Sequence, residues 1–314
     1  MTGKPTAWNA GLQPRRILVT GAAGFIGHHL VAALATVSGL ELYALVRRPV
    51  LHQMSGVHYV YQDLTQPFDR RYLPAGLDAV VHLAAAISFD ERDPAQRRAA
   101  FDTNVSGTLR LLEYAQEVGA GLFLYGSTGG IYGCRDEPID ESAPFNPLDF
   151  YSVTKCQAEL EVGFFAPHYS TVILRYFFPY GSGTPNPIQN VVESVLHGRS
   201  VRVVRSGTPA INPLHIDDAV AATVCALSLS GHYVLNIAGD ERTSFRDIAE
   251  RVARIIGGDA ARPSLHLVDE TEAHPFHRSN ALARTERARR VLGWQPTISL
   301  DEGLRRFVTE LRGE

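Results

Sequence analysis

The stretch "TGAAGFIG", residues 20–27, sets glycines at 21, 24 and 27 between the apolar run "RRILVT" (15–20) and a helical pattern. Glycines spaced three apart permit a tight turn and let the backbone approach a pyrophosphate. They also let a helix pack closely on a sheet, while the helix N-terminus adds N–H donors and a positive dipole. A glycine triplet alone is a weak signal. Here it follows the first strand-like run and opens an alternation of strand and helix patterns, the context in which it signifies dinucleotide binding.

That alternation fills the first half of the chain. The runs "LELYALV" (40–46), "VHYVY" (57–61), "LDAVVHLAA" (77–85), "GLFLYGS" (121–127) and "STVILRY" (170–176) are short and β-rich, as buried strands are. Amphipathic stretches separate several of them, among them "RAAFDTNVSGTLRLLEYAQEVG" and "YSVTKCQAELEVGFF". The pattern predicts an α/β fold, a doubly wound Rossmann-type parallel sheet that binds ligands beyond the carboxyl ends of its strands. After residue 176 the rhythm breaks: "FFPYGSGTPNPIQN" reads as an ordered loop, and the helical and strand patterns beyond it are too small and discontinuous for an independent domain. The expected organisation is a flexible extension over 1–14 and a Rossmann domain over 15–176, to which 214–237 returns. Residues 177–213 and 238–314 then form a smaller, discontinuous substrate-binding lobe.

Composition narrows the function. A net charge of -3 offers no broad field for nucleic acid or anionic membrane. Three cysteines, Cys134, Cys156 and Cys225, show neither pairing nor metal-ligand spacing, and the twelve histidines are scattered, so no metal is expected. With no apolar run of membrane-spanning length and no secretion-signal core, a cytoplasmic protein is expected.

In "YSVTK" (151–155) a phenol precedes an ammonium by four residues, which places both on one helix face. A nearby cation stabilises a phenolate and lowers its pKa, so the pair reads either as an acid/base device or as surface side chains at helical spacing. The second strand-like run ends "ALVRRP", with Val46 where a carboxylate would hold a ribose 2′-hydroxyl and Arg47 next to it. Arg47 is either a surface residue or a partner for a 2′-phosphate; the pattern favours NADP(H), with NAD possible.

Together these segments resemble the extended short-chain dehydrogenases/reductases, which include nucleotide-sugar epimerases, dehydratases and ketoreductases. The likeness runs from residue 16 through "GAAGFIG", "DL" (63–64), "HLAA" (82–85), "NVSGTLRLLEYA" (104–115), "GSTGGIYG" (126–133), "YSVTK", "LRYFFPYG" (174–181), "HIDDA" (215–219) and "LGWQP" (292–296). It implies that Gly21, Gly24, Phe25, Ile26, Gly27, Asp63, Leu64, Ala84 and Asn104 serve the cofactor. It also implies that Tyr151 moves a proton to or from the substrate oxygen, that Lys155 holds the nicotinamide ribose and lowers the tyrosine pKa, and that Thr128 hydrogen-bonds the reacting oxygen, with Ser127 beside it as the weaker candidate. A homodimer through the helices bearing Asn104 and Tyr151 is expected.

The departures from the pattern matter. Sugar dehydratases of the family carry Asp-Glu after the catalytic threonine; this chain has Gly129 and Gly130, so dehydration is not expected. Phe178 and Ile211 stand where many members place an Asn and an Arg on the substrate diphosphate, leaving Arg202, Arg205 and Arg278 as possible substitutes. The favoured reading is a ketoreductase acting on a sugar or nucleotide sugar. The alternatives are a 4-epimerase that retains NAD, a reductase of a non-sugar ketone or aldehyde, and a non-catalytic dinucleotide sensor.

Overall fold

Seven parallel strands organise the chain in the computed structural model, which describes residues 15–87, 90–183, 186–206, 209–269 and 280–313. The extension over 1–14 and Arg278 lie outside the described residues. The strands are β1 (Arg16–Thr20), β2 (Glu41–Val46), β3 (Val57–Tyr61), β4 (Ala79–His82), β5 (Leu122–Thr128), β6 (Ser170–Tyr176) and, from the later part of the chain, a strand at His232–Ile237. That last strand lies beside β6, and the spatial order from it is β6, β5, β4, β1, β2, β3. The order reverses between β1 and β4, so a crevice opens at their carboxyl ends.

The inner strands β1, β4, β5 and β6 are buried on both faces, which is why the sequence shows continuous apolar runs there. On β1, Ile17 and Val19 join a core beneath one layer of helices, and Leu18 joins the core on the opposite face. The first layer contains α1 (Phe25–Leu34). The other contains α2 (Pro94–Phe101), α3 (Gly107–Glu117) and α4 (Phe150–Phe165). The amphipathic stretch 98–119 lies on helical backbone that runs unbroken from α2 into α3 through one π turn at Asp102–Ser106. The turn carries Asn104, whose amide locks onto both backbone groups of Ala86: Oδ1 accepts from its N–H (2.7 Å) and Nδ2 donates to its carbonyl (2.9 Å).

After β6, the short β7 (Pro179–Tyr180) leads to α5 (Pro187–Leu196), which starts four residues earlier than its apolar pattern indicates because Asn186 caps it. The strands β8 (Val201–Val204), β9 (Ala210–Ile211) and β10 (Leu214–His215) precede α6 (Ile216–Ala226), which packs against α1, and β11, the His232–Ile237 strand. Then follow β12 (Thr243–Ser244), α7 (Phe245–Gly257), β13 (Leu265–Val268), α8 (Glu286–Leu292) and α9 (Leu300–Arg312). Helices α5, α7 and α9 share a separate core of Val192, Ile248, Val252, Leu304 and Phe307 beside the carboxyl ends of the main strands. The Ser244–Asp247 capping box fixes the start of α7 and places Phe245 at the cavity wall.

Candidate active site

A cavity of about 900 Å³ runs from the glycine loop to α7. At one end the walls are backbone. Gly21 has φ +67°, and a Cβ there would lie 2.5 Å from the Ala84 nitrogen; a Cβ on Gly27 would lie 2.1 Å from the Gly21 carbonyl oxygen. No side chain can replace either hydrogen without opening the loop. The first turn of α1 has no acidic residue, and its N-cap, Gly24, supplies no capping side chain, so its N–H groups stay available to an anion. Phe25, Ile26, Arg47, Asp63, Leu64 and Ala84 complete this end, a set that fits a dinucleotide.

Arg47 stands exposed on the rim, following buried Val46. Asp63 shares that rim. Its carboxylate accepts from Thr65 N–H and Oγ1 (both 2.9 Å), which, with the nearby Arg47 charge, holds its pKa below the usual range. A 2′-phosphate beside Arg47 would therefore also meet an ionised carboxylate, a physical reason to discount the preference for NADP(H).

Midway along the cavity stand Thr128, Tyr151 and Lys155. Asp149 caps α4 through Ser152 N–H (2.6 Å), so the helix begins just before Tyr151. Thr128 Oγ1 accepts from Gly130 N–H (3.1 Å), leaving its own proton to donate. Lys155 is buried: Nζ donates to the Gly126 carbonyl (2.6 Å) and lies 4.0 Å above the Tyr125 ring. Burial pushes its pKa down to about 7, with Glu159 opposing. The expected lowering of the Tyr151 pKa does not appear in this structure. Desolvation and the Asp149 carboxylate push the phenol up, because Lys155 reaches back to β5.

Beneath these groups lies a buried polar network that the sequence reading missed. Ser127 Oγ donates to Glu159 Oε1 (2.5 Å), and Glu159 receives Arg175 Nη2 (2.6 Å). Arg175 also donates to Tyr132 OH, which donates to Asn236 Oδ1 (2.8 Å). The chain of contacts ties β5, α4, β6 and β11 together under the cavity floor. Its sequence signal is faint: Glu159 follows Lys155 by four residues on the buried face of α4. His82 is a second such residue, clasped by Thr20 Oγ1 (2.6 Å) and Thr108 Oγ1 (2.9 Å), with burial driving its pKa down to about 3.

The structure redirects several expectations. Asn104 does not line the cavity; its side chain is spent on Ala86 and Thr154, so it positions the loop after β4. Ser127 lines the cavity but is engaged by Glu159. Arg202 projects outward from β8, where Val201 and Val203 face the lobe core, and Arg205 pairs with Asp269 at 3.2 Å; neither lines the cavity. Ile211 is fully buried in the lobe core. The Phe177 ring sits 2.6 Å from where a Gly129 Cβ would be, so the acid of a dehydratase pair has no room there. The residues at the lobe end, Ile87, Phe178, Pro179, Pro187, Pro209, Phe245 and Ala281, are apolar and come from segments far apart in sequence, which is why all but Phe178 escaped the sequence reading. Phe178 has φ +45°, the sole non-glycine residue above zero among those described. Such a conformation costs on the order of 1–3 kcal/mol.

Residues 17–238 match the sequence model of the NAD-dependent epimerase/dehydratase family. The chain is 31% identical to a UDP-glucose 4-epimerase of Mycolicibacterium smegmatis, over 95% of this chain and 99% of that protein. It is 29% identical to a UDP-glucuronate 4-epimerase of Thermodesulfobacterium geofontis, over 93% and 94%. Among solved structures, UDP-glucuronic acid 4-epimerase from Bacillus cereus, in complex with UDP-glucuronic acid and NAD, superposes with a TM-score of 0.85 at 27% identity, covering 95% of this chain and 99% of that one.

Proposed function

The chain belongs to the NAD-dependent epimerase/dehydratase family, and on that premise we propose that it is an NAD-linked 4-epimerase acting on the sugar of a nucleotide sugar. The observation that carries this reading is the single cavity in which Thr128, Tyr151 and Lys155 face the space between the glycine loop and the lobe, with Phe177 closing the place of a dehydrating acid. Tyr151 takes the proton of the substrate hydroxyl as its carbon is oxidised and returns it after the keto sugar has turned over. Thr128 donates to the same oxygen, and Lys155 lies within the cofactor-facing wall to hold the nicotinamide ribose. NAD, when bound, supplies the hydride acceptor and, in its oxidised form, a positive ring that favours the phenolate. Gly21, Gly24, Gly27 and the first turn of α1 would hold its pyrophosphate, and Asp63 with Leu64 its adenosine end.

The ketoreductase reading rests on Arg47 pointing to NADP(H) and on Gly129 and Gly130 in place of an Asp-Glu pair, and the second ground suits an epimerase equally. Asp63 beside Arg47, the 4-epimerase names of the relatives and the NAD in the Bacillus cereus complex weigh for the epimerase. The test is to incubate the protein as purified with UDP-glucose and UDP-glucuronic acid, without added cofactor, and follow epimer formation by NMR. Conversion with NAD recovered from the denatured protein supports the reading; stoichiometric NADPH consumption by a 4-keto sugar, without epimer formation, sinks it.

A homodimer is part of the proposal. Leu109 on α3 and Leu160 and Phe164 on α4 are exposed at 39%, 67% and 74%, an apolar face that a second copy would cover. Light scattering should give twice the chain mass. Among the described residues no helix is long and apolar enough to cross a membrane.

A further inference from the structure

A chain of hydrogen bonds through His82 runs from the glycine loop to the helix that bears Tyr151, and its side chains, Thr20, His82, Thr108, Asn104 and Thr154, are all buried. The direction of each bond follows from its neighbour. Thr108 Oγ1 donates to the Asn104 carbonyl (2.6 Å), so towards the His82 ring it accepts, and Nε2–H is the donor (2.9 Å). The ring is neutral, because burial, with the Lys155 charge adding to it, holds its pKa down at about 3. Nδ1 is therefore bare and accepts from the Thr20 hydroxyl (2.6 Å), whose oxygen accepts from Ala84 N–H (3.3 Å). On the other side, Asn104 Nδ2 donates to Thr154 Oγ1 (2.9 Å), and that hydroxyl donates to the Tyr151 carbonyl (2.7 Å).

The chain ends where the chemistry needs them. Thr20 directly precedes Gly21, and Ala84 lines the cavity against the glycine loop; Tyr151 lines it midway. His82 and Thr108 line no part of it, yet they join the ends of β1 and β4 to α3, the π turn and α4. With every side chain buried, water cannot stand in for a missing link, and a broken one leaves a polar group unpaired. Moving a hydride from a carbon and a proton from its oxygen requires cofactor and phenol at a fixed separation, and a displacement of about 1 Å costs about a hundredfold in rate.

We propose that His82, in its Nε2–H form, and Thr108 are positioning residues that hold Tyr151 in register with the dinucleotide cradle. The inference deepens the reading above and rests on it for the role of Tyr151.

The experiment uses the NAD-loaded protein and two substitutions at one position. Thr108→Val keeps the branched shape and removes the hydroxyl, so Nε2–H loses its acceptor and the ring should switch to the Nδ1–H form, donating to Thr20. Thr108→Ser keeps the hydroxyl and should keep the wild-type form. Nitrogen-15 NMR of histidine-labelled protein at neutral pH, with the His82 signal assigned through His82→Gln, reads the switch. In the epimerisation assay kcat of the Val variant, per NAD-loaded chain, should fall about thirtyfold while KM and retained NAD stay within about twofold, and Ser should restore kcat to within about threefold. A loss of stability alone lowers the melting temperature and moves neither kcat per loaded chain nor the ring proton. A wild-type ring protonated at Nδ1, a Val variant with wild-type kcat, or a Ser variant as slow as Val overturns the proposal. Should the Val variant not fold, Thr20→Val breaks the chain on the other side of the ring: kcat should fall alike, with the Nε2–H form kept, and an unchanged kcat there overturns the proposal equally. A wild type that consumes NADPH with a 4-keto sugar and forms no epimer sinks the epimerase reading alone, and the same kcat comparison is then made on that reaction.

Discussion

The two ends of the cavity are built by opposite means. At the cofactor end the working surface is main chain, held by three glycines within seven residues and by the first turn of a helix without a capping side chain. At the lobe end it is side chain, gathered from β7, the start of α5, the approach to β9 and the first residue of α7. A backbone site demands particular residues at fixed spacing, so it is brittle and leaves a local signature. A side-chain site can be rebuilt residue by residue.

The largest effect should fall at the junction of the two ends. Tyr151→Phe keeps the ring in place and removes the proton, so epimer formation should drop by about a thousandfold, within the range for a general acid/base. NAD content and melting temperature should be nearly unchanged. Should NAD be lost as well, the phenol is holding cofactor, and the assignment of proton transfer to Tyr151 fails.

Gly27→Ala probes the brittle end. The new Cβ would meet the Gly21 carbonyl oxygen at 2.1 Å, a main-chain atom that cannot swing aside. Overpacking of this kind costs about 1–3 kcal/mol, and it opens the loop that faces the pyrophosphate, so retained NAD should fall well below one per chain. Phe178→Leu, a larger chemical change at the other end, should leave NAD content untouched. Equal NAD loss in both variants would show that the ends are not independent.

Lys155 should leave a mark on stability against pH. Its pKa is lowered to about 7 in the folded chain from a model-peptide value of 10.5. Between those values the unfolded chain binds more protons, so this lysine makes stability rise with pH from about 7 upward. Cys156, pushed up to about 12 by burial, works the other way only above about 9. The melting temperature, measured without added cofactor, should therefore climb by a few degrees between pH 7 and 9 in the wild type. Lys155→Met should flatten that climb; a Met variant with the same slope would assign it to another group.

Legibility follows the same division. The strands of the sheet, the glycine loop and the Tyr151/Lys155 pair can be read from the sequence, because each rests on local spacing or on continuous apolar runs. The π turn around Asn104 could not, since the side chain it carries is placed by a tertiary contact, the Ala86 peptide. Neither could Phe245 or Pro209, whose place in the wall depends on how the lobe docks. The Glu159–Arg175 pair lies between these cases. Its helical register is visible, but its partner on β6 comes from the sheet.

The smallest effect is expected at Arg47, and it separates the readings of the cofactor. The side chain is exposed at the rim, so any pairing it makes is screened by water and salt, and exposed pairs are worth about 0.2–1 kcal/mol. Arg47→Ala should therefore change NAD affinity by less than about fivefold. If the 2′-position is unphosphorylated, the effect of Arg47→Ala on that affinity should also be nearly independent of ionic strength, because neither Arg47 nor Asp63 then faces a net charge on the ligand there. A wild-type protein that binds NADPH more tightly than NADH, with the advantage lost at high salt and in Arg47→Ala, would show that Arg47 outweighs Asp63. The reductase would then replace the epimerase while the backbone-built end stayed as described.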